Sequence, residues 1–400
     1  MGDPPHERVI SSRDIALISL SARLLFENGQ TTHQMVAALE QLGRTFGFPV
    51  TVFPRWGELA IRIDDDRGPR YEIIAAAPLG VDMRKVAATT AAIEQFCDGR
   101  ISAEEAHSQL EAVTHFPPVS LVRFVLLAGA GAAALGEIFG ATHDLTLLII
   151  ALSAGAGAAL RRWLAGISRN AFIQPFSAAL LAGIVGAIAV PFGISSALRL
   201  VAICPCMILV PGPHLLNGAI DLLRARITLG VARVGYASLI TFVISLGLLI
   251  GLSVRSVDLP VSGPQTAVPL GYDVIAAGIA VGAYGTFFAM PWRTLPIPVA
   301  IGMLAHASRW AVITWAGASV EVGALVACLL VGIVVTPIGH RLRLPFGALA
   351  FASVVSLIPG AYLFRMTGGL MDILVLGRGA SFDLLLSTIV DGMTALLIMI

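Results

Sequence analysis

The sequence is short of charge. Only 13% of its 400 residues are Asp, Glu, Lys or Arg, about half the share of a soluble domain. That scarcity excludes a soluble enzyme and a nucleic-acid binder with a basic face. Lysine is nearly missing, Lys85 being the single one among 26 basic residues. Cysteine is scarce and scattered: Cys97, Cys204, Cys206 and Cys328 lie too far apart to staple a secreted scaffold. Cys204-Pro205-Cys206 lacks the two-residue spacer of redox and zinc pairs and reads as small core residues around a proline kink. There is no Walker motif, no HExxH, no GxSxG and no histidine cluster, so ATP-driven, metal-dependent and hydrolytic chemistries have no foothold. The chain is not expected to be an enzyme or to hold a cofactor. Residues 1–13 contain Asp3, Glu7 and two prolines and no apolar stretch, so no secretory signal is expected there and the N-terminal part should stay in the cytosol.

What the sequence has is apolar surface, with 56% hydrophobic residues and a mean hydropathy of +0.85. The net charge of +1 hides a division. Residues 1–115 carry 11 basic and 16 acidic side chains, whereas residues 116–400 carry 15 and 9. An acidic head is therefore followed by a long, sparsely charged, cationic remainder, with Pro117-Pro118 at the seam.

The head reads as α+β. Residues 13–27 have helical apolar spacing and stop at Asn28-Gly29, and a second helix runs from Thr32 to a stop at Gly47. Val50–Phe53, Leu59–Ile63 and Tyr71–Ala76 are β-rich and separated by turn residues, which predicts a small meander. Residues 82–97 and 102–113 return to helix, the second with Ser102 and Glu105 in capping-box spacing.

Beyond the seam, ten apolar segments have about the 20 residues a bilayer requires. They run near 119–140, 143–164, 171–191, 195–213, 228–252, 273–291, 294–315, 318–338, 344–364 and 380–400. With the head in the cytosol, connections on that side hold Arg161, Arg162, Arg169, Arg224, Arg226, Arg293, Arg341 and Arg343, and the opposite side only Arg255 and Arg378. This bias fits the positive-inside rule with both termini cytosolic. The expected domains are a head over 1–117, a five-span module over 118–253, an extracytoplasmic loop over 254–272 and a second five-span module over 273–400.

The two sets of five segments repeat one another. Ala128-Gly129, Gly136 and Phe139 recur as Ala277-Gly278, Gly285 and Phe288; Arg162-Trp163 recurs as Arg309-Trp310; and Leu209-Val210-Pro211-Gly212 recurs as Leu357-Ile358-Pro359-Gly360. An odd number of spans per unit inverts one copy relative to the other, the arrangement of many secondary transporters with a midplane site at broken helices. The Pro-Gly pairs mark such breaks, because Pro removes an amide donor and Gly adds no side-chain support. Polar groups follow each: His214, Asn217 and Asp221 after Pro211-Gly212, and Tyr362 and Arg365 after Pro359-Gly360. The Gly/Ala-rich runs Ala128–Leu135 and Ala154–Leu160 lie inside spans and read as helix-packing surfaces, not phosphate loops.

LVPGPHLLNGA over Leu209–Ala219, followed by GVAR over Gly230–Arg233, resembles the threonine/serine exporter family. So do the head, with its Glu27-Asn28-Gly29 helix end and Gly80-Val81-Asp82 helix start, and Leu357–Tyr362 in the second module. The resemblance implies proton-driven export of small hydroxy amino acids across the bacterial inner membrane. Split pairs in the family leave small dicarboxylates as an alternative substrate. A receptor or membrane enzyme with a sensor head is the rival from outside transport.

Candidate substrate contacts are Pro211, Gly212, His214, Asn217, Arg233, Pro359, Gly360, Tyr362 and Arg365, since an arginine fork can hold the carboxylate of an amino acid. Asp391, midway along the last segment with no charge near it, is the candidate proton carrier, and Glu137 is a second. His306 reads as a proton relay or a satisfied interior histidine, and Gln174 as lining a polar entrance or a helix contact. The expected partners are a small amino acid, protons and the lipid bilayer, with a homo-oligomer left open and no nucleic acid.

Overall fold

The computed structural model describes residues 9–399 apart from 142, 169, 193–198, 256, 258–267, 343–345 and 358–359, without the side chains of 340, 342, 346–348, 355, 360, 361, 371, 374, 375 and 395–399. The head begins with α1 (Ser12–Glu27) and α2 (Thr32–Phe46), continues through β1 (Val50–Arg55), β2 (Gly57–Asp65) and β3 (Gly68–Ala76), and closes with α3 (Met83–Cys97) and α4 (Ala103–Thr114). Side-chain caps set three of its helix starts. Ser11 and Asp14 form a capping box on α1, Asp82 accepts from the amides of Arg84 and Lys85 on α3, and Ser102 with Glu105 boxes α4. Gly47 ends α2 in the left-handed region at φ 85°, where a Cβ would be strained.

The strands form an antiparallel meander in the order β1-β2-β3. Leu59, Ile61 and Ile63 of β2 alternate onto one face and are buried with Ile18, Leu25, Met35 and Leu39 of the two leading helices. The same apolar cluster runs on into Leu229, Met290, Leu295 and Ile301 of the helical remainder. Head and helices thus share a core at one end of the molecule, here termed the head end.

The remainder is entirely helical among the described residues. Its first half is α5 (Leu121–Ile138), α6 (Asp144–Ala165), α7 (Ile173–Ala189), α8 (Leu200–Met207), α9 (Gly212–Leu223) and α10 (Ile227–Ser253). Its second half is α11 (Leu270–Phe287), α12 (Pro296–Ala316), α13 (Val320–Leu342), α14 (Phe346–Val354), α15 (Gly360–Leu376) and α16 (Phe382–Met399). Seven of these are long and apolar enough to cross a bilayer, and α8 with α9, bent by 56°, raises the number to eight. The protein is a polytopic helical membrane protein. That number falls short of the ten segments in the sequence. The ninth and tenth segments fall on α14–α15 and α16, stretches that include residues outside the described set.

Most pairings in the first half have a partner in the second. α5 packs on α6 as α11 does on α12, α6 on α7 as α12 on α13, α6 on α8 as α12 on α14, and α9 on α10 as α15 on α16. Between halves, α5 lies along α11, α8 touches α15, and α9 touches α14. Directions differ between the halves. Arg123, near the start of α5, donates to Thr286 Oγ1 near the end of α11 at 3.0 Å, and the Phe288 carbonyl just beyond α11 accepts from the head amide of Met83 at 2.8 Å. Therefore α5 leaves the head end and α11 arrives at it.

Candidate functional site

The bend between α8 and α9 is built by sequence. Pro205 sits inside α8 and Pro211-Gly212-Pro213 restarts the chain as α9, so amide donors are missing on both sides of residues 208–211. The carbonyls so freed require other partners, because nothing in hydrocarbon can hydrogen-bond to them. Tyr284 of α11 supplies one: its hydroxyl, fully buried, donates to the Met207 carbonyl at 3.0 Å.

A crevice opens beside this break. Its narrow inner part is lined by Ser153, Gly157 and Arg161 of α6 together with Pro205, Ile208 and Phe287. Next to it at the head end lies a wider cavity of about 240 Å³, bordered by Val81 and Asp82 of the head, Phe124, Arg161, Arg162, Gln174 and Phe287. Arg161 and Phe287 line both chambers. Ser153, Gly157 and Arg161 recur every four residues on one face of α6, and a helical side chain leans toward its own N-terminus, so Arg161 reaches back along the crevice. Arg161 makes no ion pair among the described residues, and its Nε and the Ser153 hydroxyl are buried without hydrogen-bond partners. Arg162 donates to the Val119 carbonyl at 2.7 Å, and its guanidinium lies 4.8 Å from the centre of the Phe124 ring.

The head closes over the other side of the same bent helix. Thr32 Oγ1 donates to Asp221 Oδ2 at 3.0 Å, and Asn217 Nδ2 donates to the Gly29 carbonyl at 3.3 Å. Asp221 also faces Arg233 at 3.5 Å and Arg226 at 3.7 Å, with both Asp221 and Arg233 only 1% exposed. Trp56, at the tip of the β1–β2 hairpin, sits 5.0 Å from the Tyr236 ring and 6.4 Å from that of His214. At the edge of this seam, burial and the nearby Arg224 and Arg226 push the His33 imidazole below its ordinary pKa, against an opposing pull from Glu40.

A third polar group lies within the second half. His306 of α12 is completely buried, its Nδ1 3.1 Å from Asp273 Oδ2 and its Nε2 2.9 Å from Ser356 Oγ. Arg309, one turn further along α12, lies within electrostatic reach of Asp273 and Tyr362, and Tyr362 within that of Glu321, Arg365 and Asp391. The Arg365 guanidinium lies 5.8 Å from the centre of the Tyr362 ring.

A broken span, a cavity beside it and buried ionic groups inside an apolar bundle are the anatomy of a transporter. Comparison with protein families is decisive. A family model described as a putative threonine/serine exporter matches residues 16–255, and a second, described as threonine/serine exporter, matches residues 273–398. The chain belongs to the threonine/serine exporter family. The curated proteins and the solved structures give no match.

Within this exporter-family chain, the sequence-assigned residues fall into three groups. Pro211 and Gly212 form the break. His214, Asn217 and Arg233 face the head, so their polar groups meet Trp56, Gly29 and Asp221 and not a cavity. Tyr362, Arg365 and Asp391 come together in the second half, Asp391 being 8% exposed. Gly360 begins α15, Pro359 lies outside the described residues, and Glu137 stands half-buried on the last turn of α5, away from the head end. Gln174 does line the cavity. Sequence reasoning gave no site role to Ser153, Asp273, Tyr284 or Ser356, and placed Arg161 only among loop cations. Their shared signal is a polar side chain within about one turn of a span's apolar centre or end, which is indistinguishable on paper from an interfacial residue.

Proposed function

We propose that the protein exports small hydroxy amino acids, threonine and serine, from the bacterial cytosol, loading them through the head-end cavity. The observation that carries this reading is Arg161, a half-buried arginine whose Nε is buried without a hydrogen-bond partner and which makes no ion pair among the described residues, placed on the wall shared by the 240 Å³ cavity and the narrower crevice at the α8–α9 break. A carboxylate entering there meets a preformed fork, and Ser153 lies deeper on the same face for a hydroxyl or ammonium group. Pro211 and Gly212 shape the floor, and Arg233, His214 and Asn217 join substrate handling when the head moves off them.

The internal repeat strengthens the assignment. At offsets of 147 and 149 residues, Arg309 corresponds to Arg162, the neighbour of Arg161, and Asp273 to Phe124, whose ring centre lies 4.8 Å from the Arg162 guanidinium and 5.9 Å from that of Arg161. The second half thus contains its own anion beside its arginine, while the first half has an aromatic ring where that anion would be. In this reading the substrate provides the missing charge.

The architecture that fits is ten spans: the seven long helices, the bent α8–α9 pair, the α14–α15 pair and α16. They form two inverted five-span modules over 118–253 and 273–400, with an extracytoplasmic connection over 254–272, and the head (1–117) and both termini lie in the cytosol. Alternating access would rock the modules about the α5–α11 contact, driven by the proton-motive force through Asp391 and Glu137, with Tyr362, Pro359, Gly360 and Arg365 as substrate contacts at the second Pro-Gly pair. Two adjacent arginines at the cavity also favour a second reading, a small-dicarboxylate exporter.

Proteoliposomes loaded with labelled threonine, serine or succinate test these together. The expected result is threonine and serine counterflow, accumulation under an imposed pH gradient, and a KM raised at least tenfold in Arg161→Gln, the loss of about 1.4 kcal/mol of binding. Faster succinate than threonine counterflow selects the dicarboxylate reading. No flux of any solute refutes transport, and undiminished gradient-driven transport in Asp391→Asn removes that residue from coupling.

A further inference from the structure

The Asp273–His306–Ser356 chain is costly to place in a bilayer-spanning bundle: all three residues are under 5% exposed, and polar groups inside a membrane are retained where they work. Its geometry suits a neutral ring in one tautomer. A carboxylate only accepts, so Nδ1 of His306 carries the hydrogen donated to Asp273, and in the neutral ring the Nε2 lone pair accepts the Ser356 hydroxyl. In this state every member is satisfied.

The position of each residue gives the chain a direction. Asp273 lies on the first turn of α11, at the end away from the head. His306 is halfway along α12. Ser356 is in the single 3-10 turn Val355–Leu357 that precedes the second Pro-Gly pair. The chain thus leads from the far side of the bundle to the second helix break. Among the described residues, Arg309 on the same helix has Asp273 and Tyr362 within electrostatic reach, Tyr362 on α15 has Glu321 on α13, Arg365 and Asp391 on α16, and α14 carries no ionisable residue. Arg309 already lies within electrostatic reach of Asp273, so a cationic side chain stands beside the carboxylate that holds the imidazole.

We propose that His306 is a further proton-binding site on the coupling path assigned to Asp391 and Glu137, and that binding reverses the hydrogen bond to Ser356. This inference rests on the proton-driven reading above. A proton arriving from the extracytoplasmic side adds to Nε2, with no covalent bond broken. The imidazolium is neutralised by Asp273, and Nε2 becomes a donor. Ser356 must then accept where it had donated, so its own hydrogen has to find another acceptor and the turn Val355–Leu357 adjusts to supply one. Release of the proton to the cytosol restores the first pattern. Protonation is thereby read out as a change in the turn that leads into the break, which is how a proton would bias an alternating-access equilibrium.

The decisive variant is His306→Gln, whose amide can donate to Asp273 and accept from Ser356 but cannot titrate. Two rates are measured in proteoliposomes: threonine exchange without a gradient, and threonine accumulation under a pH gradient. The proposal expects accumulation to fall at least tenfold more than exchange and the pH dependence of transport to flatten. Ser356→Ala, a small change that keeps the imidazole, should also lower accumulation more than exchange, which keeps the test decisive should His306→Gln fail to fold. Equal losses of both rates in Ser356→Ala and His306→Gln, or full accumulation in either, overturn it. A wild-type protein that exchanges threonine but ignores a pH gradient overturns both this inference and the proton-driven reading, whereas wild-type accumulation that survives in His306→Gln overturns this inference alone.

Discussion

At the residue scale, the buried Asp221–Arg233 pair shows how far a sequence can lead. Both charges stand out in apolar sequence, and Arg233 reads as a fork for a substrate carboxylate. The structure gives that fork to Asp221, and gives Asp221 to Thr32 of a domain far away in the chain. Spacing reveals that a buried charge must be answered; it does not reveal by what, because the partner is brought in by tertiary packing. The same holds for Trp56, which reads as a turn residue and serves as the wedge between α9 and α10. Asp221→Ala would leave Arg233 and Thr32 unanswered inside the seam. Removing one member of a buried pair costs about 3–5 kcal/mol, so thermal unfolding should shift clearly downward and limited proteolysis should cut the head faster. Asp221→Asn, which still accepts from Thr32, should lose less.

His33 gives the same seam a pH dependence. Its pKa is lowered in the docked head by burial and by Arg224 and Arg226. Docking therefore favours the neutral ring. Its contribution is complete above the ordinary histidine pKa of about 6.5 and is lost as pH falls from there toward the depressed value. The ring is largely exposed, so solvent screens the effect and the change should be shallow. Head protection from protease, followed from pH 7.5 downward, should decline in wild type and stay flat in His33→Gln; identical profiles would remove His33 from the seam's energetics.

At the element scale the sequence was far more legible. The head's four helices start where Ser, Thr or Asp precede an amphipathic run, and its three strands where β-branched residues alternate, because those signals are local. The apolar segments coincide with helices for the same reason. Less legible was how closely they pack. The α7–α10 contact is made by glycines: a Cβ on Gly251 would stand 2.5 Å from the Leu180 carbonyl oxygen, and one on Gly183 would strike the Leu248 carbonyl. Small residues let membrane helices approach to backbone contact, but their sequence spacing does not say which faces meet. Gly251→Ala should destabilise the protein by about 1–3 kcal/mol through overpacking, seen as a lower melting temperature in detergent. Gly332→Ala on α13, where a Cβ meets nothing within 4 Å, should be neutral and serves as the control.

At the scale of the whole molecule, the arginine bias, the matched helix pairings and the opposed directions of α5 and α11 all bear on one question: whether the modules are inverted. Equivalent junctions in two inverted modules must lie on opposite sides of the membrane, and in two parallel modules on the same side. The α9–α10 junction at Arg224 and the α15–α16 junction at Arg378 are such a pair, and both side chains are exposed. In a variant with Cys97, Cys204, Cys206 and Cys328 replaced by alanine, Arg378→Cys should react with an impermeant maleimide in intact cells. Arg224→Cys should react only after permeabilisation, as should Tyr71→Cys on the exposed face of the head. Labelling of residues 224 and 378 from the same side would abolish the inverted arrangement and, with it, the far-side route to His306. Labelling of residue 71 in intact cells would instead turn the whole molecule over. The 240 Å³ cavity would then open to the outside, and an importer would replace the exporter as the mechanism to explain.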